Sequence, residues 1–299
     1  MPRLFGIAGV QMGVVAWDPN ATIDKMAQVI GHIGHNFPWV QMVIFHELCV
    51  SGLVQFNTSP DIDRWDQVKQ PIPGPLTDRL CDIARRTKKW LLPGSMYEQD
   101  GGKIYNTAVV ISPEGKLIAK YRKMFPWYPL ESETAPGSEF CVFDVPQIGR
   151  FGICICYDMW FPEMIRTLAW LGAEVILHPT MTPTSDRDLE LVLSQAHAIT
   201  NQCYFVDING IGPWGGGRSI IIDPDGRVLQ QTGTQETILT EILDLDRVTM
   251  TREYGTLGMA QTLKQLRDSG IKFPPYQNGL ASGEGFKKLG RLQVHKDLK

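Results

Sequence analysis

The sequence predicts an α/β layer architecture, on three observations. Short β-branched runs alternate with stretches of helical periodicity. Turn-forming clusters punctuate them, and no low-complexity linker divides the chain. Hydrophobic residues make up 43% of the 299 and charged residues 20%, enough for a sizeable core in one large domain or two small ones. Strand–helix alternation is what results when helices bury the apolar faces of a central sheet.

Residues 4–10, LFGIAGV, read as the first strand. Asn20 can cap a helix that carries Ile23, Met26, Ala27, Ile30 and Ile33 on one side. Residues 41–45, QMVIF, read as the next strand. The segment from Leu76 to Thr87 then sets Leu80, Ile83 and Ala84 on an apolar stripe, with basic residues at its end. An internal echo follows. SPEGK at 112–116 comes after NTAVVI, and DPDGR at 223–227 comes after GRSIII, so two similar hairpins are expected. A weaker echo pairs VIFHE at 43–47 with VILHP at 175–179, each an apolar strand reaching a histidine. Ordinary reuse of α/β patterns and two pseudo-symmetric halves meeting through their sheets both account for it.

The segment RFGICICYDMWFPEMIRTLAWLGAEVILHP carries the densest signal. Residues 151–155 read as a strand, and Pro162 suits a first helical turn because it lacks the N–H that would be orphaned there. Met164, Ile165, Leu168 and Leu171 form an inward stripe, and Gly172 closes the helix before a strand at 174–178. Cys156 thus falls at a strand's end, where a short turn enters a helix. Open α/β sheets build their sites there, and free backbone N–H groups favour a thiolate. A second amphipathic helix at 188–200, capped by Asp188, carries Leu189, Val192, Leu193, Ala196 and Ile199, and 203–208 reads as a core strand. Residues 1–245 therefore read as one domain. The extension 246–299 holds a polar helix near 259–268 and then FPPYQNG and GEGFKKLGR, with little apolar content for a core of its own. It is expected to lie across the main domain or a neighbouring subunit.

Several functions are disfavoured. The 29 basic and 32 acidic side chains give a net charge of −3, which offers no footprint for nucleic acid. The basic cluster Lys287, Lys288 and Arg291 has no interleaved aromatics and reads as solvated surface. The start lacks a basic region followed by a long apolar stretch, and no run reaches the roughly 18 to 20 apolar residues that cross a bilayer. A soluble, cytoplasmic protein is the expectation. The six cysteines belong to a chain that is neither short nor secreted-looking, so most should be buried small hydrophobes. His46 and His178 show no metal-ligand spacing, and the glycines of GIGPWGGG at 210–217 have no strand–helix phosphate-binding context. Neither metal nor cofactor is expected.

Hydrolysing an amide needs a nucleophile, a proton carrier, and donors for the oxygen that becomes negative. Cys156 is the natural nucleophile. Cys154 lies on the same face by strand periodicity, and only the strand-end position favours Cys156. Glu47 ends the strand MVIF, as a solvated strand end or as a site residue. Lys123, in KYRKMFPW near a hairpin end, is a surface lysine or a site residue.

FHELCVSG around Glu47, YRKMFPW around Lys123 and FGICICYDMWFPE around Cys156 resemble, in order, the three signatures of the nitrilase superfamily of carbon–nitrogen hydrolases. The resemblance covers about residues 4–245. It implies a four-layer αββα sandwich with Glu47 as general base and acid, Lys123 as oxyanion stabiliser and Cys156 as nucleophile, helped by the backbone N–H of Tyr157. PWYPLESETAPG at 126–137 is similar to the corresponding segment of aliphatic amidases and formamidases. That likeness implies an additional active-site glutamate at Glu131, with Glu133 a neighbouring alternative at a poorer offset. Tyr128, Trp160 and His178 are candidate substrate-binding residues, Trp160 because it follows the nucleophile so closely.

The implied reaction is hydrolysis of a small neutral aliphatic amide to its carboxylic acid and ammonia through a thioester. The Cys–Tyr–Asp sequence at 156–158 departs from the two acidic residues common in aliphatic amidases, and resembles other amidase branches and carbamoyl-amide hydrolases. Arg166 has no clear claim to a carboxylate clamp, while Arg187 and Arg218 are candidates from other loops. The alternatives are an N-carbamoyl amino-acid hydrolase, a nitrilase, an acyltransferase or a noncatalytic binding protein. The resemblance also implies a homodimer or higher homo-oligomer, joined through the helices after Cys156 and at 188–200.

Overall fold

The computed structural model describes residues 2–52, 68–128, 131–212, 215–273, 276 and 289. Trp214 of GIGPWGGG, the cluster Lys287, Lys288 and Arg291, and almost all of the C-terminal extension after 270 lie outside them.

In chain order the strands are β1 (Leu4–Gln11), β2 (Met42–Phe45), β3 (Trp90–Leu92), β4 (Ser95–Asp100), β5 (Lys103–Ile111), β6 (Leu117–Arg122), β7 (Cys141–Val145), β8 (Gly149–Ile153), β9 (Val175–Thr180), β10 (Tyr204–Asn209), β11 (Ile211–Gly212), β12 (Gly215–Gly216), β13 (Ile220–Ile222), β14 (Val228–Gln231) and β15 (Thr237–Asp244). The helices are α1 (Pro19–Asn36), α2 (Pro75–Thr87), α3 (Pro162–Trp170), α4 (Arg187–Asn201), α5 (Leu245–Tyr254) and α6 (Thr262–Asp268). One sheet runs β15-β1-β2-β3-β5-β4, with β6 paired to β5; the other runs β14-β13-β10-β9-β8-β7.

Each sheet has three parallel strands at its heart, β1, β2 and β3 in one and β8, β9 and β10 in the other. The middle strands are β2 and β9, which carry the VIFHE and VILHP echo. Both expected hairpins form, β5 with β6 around 112–116 and β13 with β14 around 223–227. The two-halves reading of the echo therefore matches the topology.

Period-two alternation builds the layers. Phe5, Ile7, Met42, Ile44, Ala108 and Val110 share a core cluster with Phe143, Phe151, Ile153, Leu177 and Phe205 of the other sheet. The alternate residues Ala8, Val10, Val43 and Phe45 pack on α1 and α2 through Ile23, Met26, Ile30, Leu80 and Ile83. On the second sheet's outer side, Met164, Ile165 and Leu168 of α3 are buried in the shared cluster. The result is the αββα sandwich. The sheets approach closely at Gly9, where a Cβ would lie 2.2 Å from Ile208 Cδ1.

Local details correct several expectations. Asp18, not Asn20, caps α1: its Oδ1 accepts from Ala21 N at 2.9 Å, and Pro19 takes the first helical position. Helix α4 starts at Arg187 after Asp186, so Asp188 lies in its first turn. Leu171 is 43% exposed rather than buried with the α3 stripe. The larger correction concerns the face of α4. Arg187, Glu190, Ser194, His197 and Asn201 are buried, whereas Leu189 and Val192 are 56% and 64% exposed. Hydrophobic periodicity located the helix correctly but pointed its apolar stripe the wrong way, because buried ion pairs hold its polar face inward.

Residues 245–252 stay on the body. Leu245 and Val248 join the core cluster, Gln202 Nε2 donates to Thr251 O at 3.0 Å, and the Arg252 guanidinium donates to Ala173 O at 2.6 Å. Helix α6 buries none of its residues. Among the described residues, no helix is long and apolar enough to cross a membrane.

Candidate active site

The parallel strands of both sheets end at the same side of the sandwich. Glu47 follows β2, and its N–H donates across to Thr180 O, at the end of β9, at 3.3 Å. Gly94 makes room for this segment: its φ is +80°, and a Cβ there would lie 1.8 Å from His46 O. Lys123 follows β6 and is pinned by its own N–H to Asn106 O at 2.8 Å.

Cys156 opens a 3-10 turn, Cys156–Trp160, that leads into α3. Its φ of +47° is the left-handed region, which a non-glycine residue adopts only when its surroundings enforce it. Asp158 supplies much of that enforcement. It accepts from Ile155 N at 2.8 Å, Phe125 N at 2.9 Å and Tyr121 Oη at 2.6 Å, tying the turn to the loop after Lys123. His178 Nε2 lies 3.0 Å from the Cys156 carbonyl, and His178 Nδ1 lies 3.4 Å from Asp207 Oδ2. His178 thus sits behind the turn and does not line the cleft in front of it.

Four side chains predicted from the sequence converge, all nearly removed from solvent. Lys123 Nζ donates to Glu47 Oε1 at 2.9 Å and to Glu131 Oε2 at 2.6 Å. Trp127 N donates to the same Glu131 oxygen at 2.6 Å. The Cys156 thiol and the Glu47 carboxyl group are close enough for each to shift the other's proton affinity. Asn106 of β5 also enters the set: its Nδ2 reaches Glu47 Oε1 at 2.8 Å and Glu131 Oε1 at 3.3 Å. Sequence reasoning missed Asn106, whose polar side chain in the apolar run IYNTAVVI was the available signal.

Burial decides the protonation preferences. It raises the Glu47 pKa, an effect Lys123 opposes and Glu131 reinforces. Burial and the Glu47 charge push the Cys156 thiol well above its ordinary value, so the resting thiol is protonated. For Lys123, burial alone would lower the pKa, but Cys156, Glu131 and Glu47 outweigh it and hold the ammonium charged. The arrangement is a neutral thiol beside a carboxylate with raised proton affinity, next to a fixed cation. Such a set can move one proton and stabilise one new negative charge.

Cys156 lines a narrow cleft of about 240 Å³, open mouth included, with Trp127, Tyr157, Trp160, Met181 and Thr182 among its walls. Glu190 and Asp186 also face it, whereas no arginine or lysine does among the described residues. Tyr128 is absent from the walls. Arg187 is committed elsewhere, its guanidinium on both Asp207 oxygens at 2.9 and 3.0 Å and on Glu190 Oε2 at 3.1 Å. Arg218 pairs with Asp188. No group of three or more His, Cys, Asp or Glu among the described residues could hold a metal ion.

Comparison with known proteins agrees with this construction. The carbon-nitrogen hydrolase family model matches residues 6–253. The chain is 34% identical over 216 residues to omega-amidase NIT2 of Mus musculus, covering 66% of this chain and 77% of that protein. It is 32% identical over 215 residues to a formamidase of Bacillus cereus, covering 70% of this chain and 63% of that one. Among solved structures, Nit3 of Saccharomyces cerevisiae, a member of branch 10 of the nitrilase superfamily, superposes with a TM-score of 0.74 at 27% identity, over 84% of this chain and 94% of that chain. An amidase from Nesterenkonia sp. shares the fold, with a TM-score of 0.71 at 23% identity over 84% of this chain and 94% of that one. The chain belongs to the carbon–nitrogen hydrolase family of the nitrilase superfamily and is a cysteine-dependent enzyme of its amidase and formamidase branch.

Proposed function

We propose that the enzyme hydrolyses small neutral aliphatic amides to a carboxylic acid and ammonia, with Cys156 as nucleophile, Glu47 as proton carrier, Lys123 as oxyanion stabiliser and Glu131 as the residue that positions Lys123. The observation that carries this reading is the buried contact of Glu47, Lys123 and Glu131 beside the Cys156 thiol.

Glu47 takes the thiol proton as the Cys156 sulfur bonds to the carbonyl carbon. The carbonyl oxygen becomes negative and accepts from Lys123 Nζ and from Tyr157 N–H, which lies in the first turn of a helix and so has no helical partner. Glu47 returns the proton to the nitrogen, the carbon–nitrogen bond breaks and ammonia leaves a thioester. Glu47 then takes a proton from water, whose oxygen attacks the thioester. The acid departs as the sulfur regains its proton.

The cleft supports a small, uncharged acyl chain. Its described walls offer no cation for a substrate carboxylate, which disfavours a carbamoyl amino acid. Trp160 is a wall of the acyl site in this reading; His178 orients the Cys156 carbonyl instead of touching substrate. The relatives' names, omega-amidase and formamidase, favour amide over nitrile chemistry. We also place a homodimer contact on the exposed apolar face of α4. The functional unit extends through α5, with the remaining C-terminal residues as an arm.

A product-resolved comparison of formamide, acetamide, propionamide, a carbamoyl amino acid and an aliphatic nitrile tests the substrate class. Acid and ammonia from the small amides are expected. Turnover confined to the carbamoyl amino acid or to the nitrile would overturn the assignment.

A further inference from the structure

The Glu47 carboxylate has two oxygens, and the site treats them differently. Oε1 accepts from both Lys123 Nζ at 2.9 Å and Asn106 Nδ2 at 2.8 Å, which occupies both of its lone pairs. That leaves Oε2 as the oxygen that neither donor holds. We propose that Asn106 is a positioning residue which, with Lys123, holds Glu47 by Oε1, so that Oε2 alone carries the proton between Cys156, the leaving nitrogen and water. This rests on the Glu47–Lys123–Cys156 reading above.

Three features support it. Asn106 sits where it can act on the whole set, because its backbone carbonyl accepts from Lys123 N at 2.8 Å while its side chain spans Glu47 and Glu131. The orientation of its amide follows from chemistry: the reverse would set Oδ1 against a carboxylate oxygen at 2.8 Å. That orientation leaves Asn106 Oδ1 buried with no hydrogen-bond partner among the described residues. A core built for stability alone would use an apolar residue here or satisfy both ends of the amide. The NH2 group is kept on the two carboxylates at the expense of the oxygen.

The consequence is a pH signature. Donors on a carboxylate favour its ionised form, so Asn106 opposes the burial that raises the proton affinity of Glu47. The other groups facing Glu47 are Lys123 and Glu131 beside it, Cys156 from the 3-10 turn and Tyr97 from β4. Those remain when Asn106 is changed. Loss of the donor must then move the acid limb of kcat/KM, where Glu47 becomes the base, to higher pH.

The experiment compares the pH profile of kcat/KM on a small amide, and of Cys156 alkylation by iodoacetamide, in the wild type, Asn106→Leu and Asn106→Asp. We expect both acid limbs to shift upward by about one unit, with a loss about tenfold larger on the limb than on the plateau. Limbs that stay where the wild type has them would overturn the inference. A purely structural role would lower activity by the same factor at every pH. If Asn106→Leu does not fold, the isosteric Asn106→Asp decides. Should neither fold, the Asn106 side-chain NH2 resonance of the wild type must titrate with the acid limb, and a pH-independent resonance would overturn the inference. Cys156→Ala runs alongside: retained hydrolysis there sinks the proposed function itself, whereas an inactive Cys156→Ala with unshifted limbs sinks only the role of Asn106.

Discussion

At the scale of single residues, two buried cysteines two positions apart differ in what they face. Cys154 and Cys156 share a strand face by periodicity, and Cys154 is wholly buried with burial pushing its thiol well up. Cys156 alone lines the cleft. Cys156→Ala should abolish the thioester and lower kcat/KM by at least about 10⁴-fold, as when a nucleophile is removed. Cys154→Ala should leave the thioester intact and cost about 1 kcal/mol of stability. Mass spectrometry of the quenched reaction and thermal melts separate the two. His197 gives a second residue-scale test. Burial lowers its pKa from 6.5 to about 4. The unfolded chain therefore binds a proton that the native state refuses in that range. Stability from neutral His197 is complete above pH 6.5 and is lost as pH falls toward 4, by roughly 3 kcal/mol. His197→Gln can still donate to Met159 O and has no proton to gain. The stability of the wild type relative to this variant should fall over that window, and a difference independent of pH would contradict it.

At the scale of elements, the site depends on how strand ends are held. The three bonds accepted by Asp158 fix the 3-10 turn against the loop after Lys123. Tyr121→Phe removes one donor and should cost about 1 kcal/mol with activity largely kept. Asp158→Ala strands one buried and one partly buried N–H group and should cost about 2 to 5 kcal/mol, with a larger loss of kcat than the stability change explains. Unfolding in denaturant and single-turnover rates at a temperature where both variants are folded will show whether turn geometry, beyond stability, governs the thiol. The positions of β2, β9, both hairpins and the helix after Pro162 were readable from periodicity and turn residues. The α4 face was not, because periodicity finds an apolar stripe without saying what covers it. There a bidentate Arg187–Asp207 pair, with Glu190 and Ser194, takes the inner side.

At the scale of the molecule, that inverted helix bears on assembly. Leu189 and Val192 on α4, Trp170 and Leu171 at the end of α3, and Met250 and Tyr254 on α5 are exposed large hydrophobics. The dimer contact proposed above would cover exposed apolar residues of this kind. In a symmetric dimer the same patch meets itself, so one substitution acts twice. Val192→Asp should convert a protein with the native mass of two or more chains to a single-chain species, read by light scattering across a dilution series. A wild type with the mass of one chain at working concentration would defeat the proposed contact.

What the sequence determined by itself was local chemistry: the period of each element, the turn residues of both hairpins, the proline that starts α3, and three motifs whose order identified Glu47, Lys123 and Cys156. Those features depend on a few neighbouring residues, so they survive without coordinates. What only the tertiary structure decided was everything set by distance between remote segments. The approach of Glu47, Lys123 and Glu131, the bridging amide of Asn106 and the bonds that Asp158 accepts from Tyr121 and Phe125 join residues from 8 to 76 positions apart. The same holds for His178, a candidate for substrate contact by its place at a strand end, which packing instead directed to the Cys156 carbonyl. A sequence pattern records which side a residue prefers when water is the alternative. Which partner replaces that water is fixed only when the two sheets close.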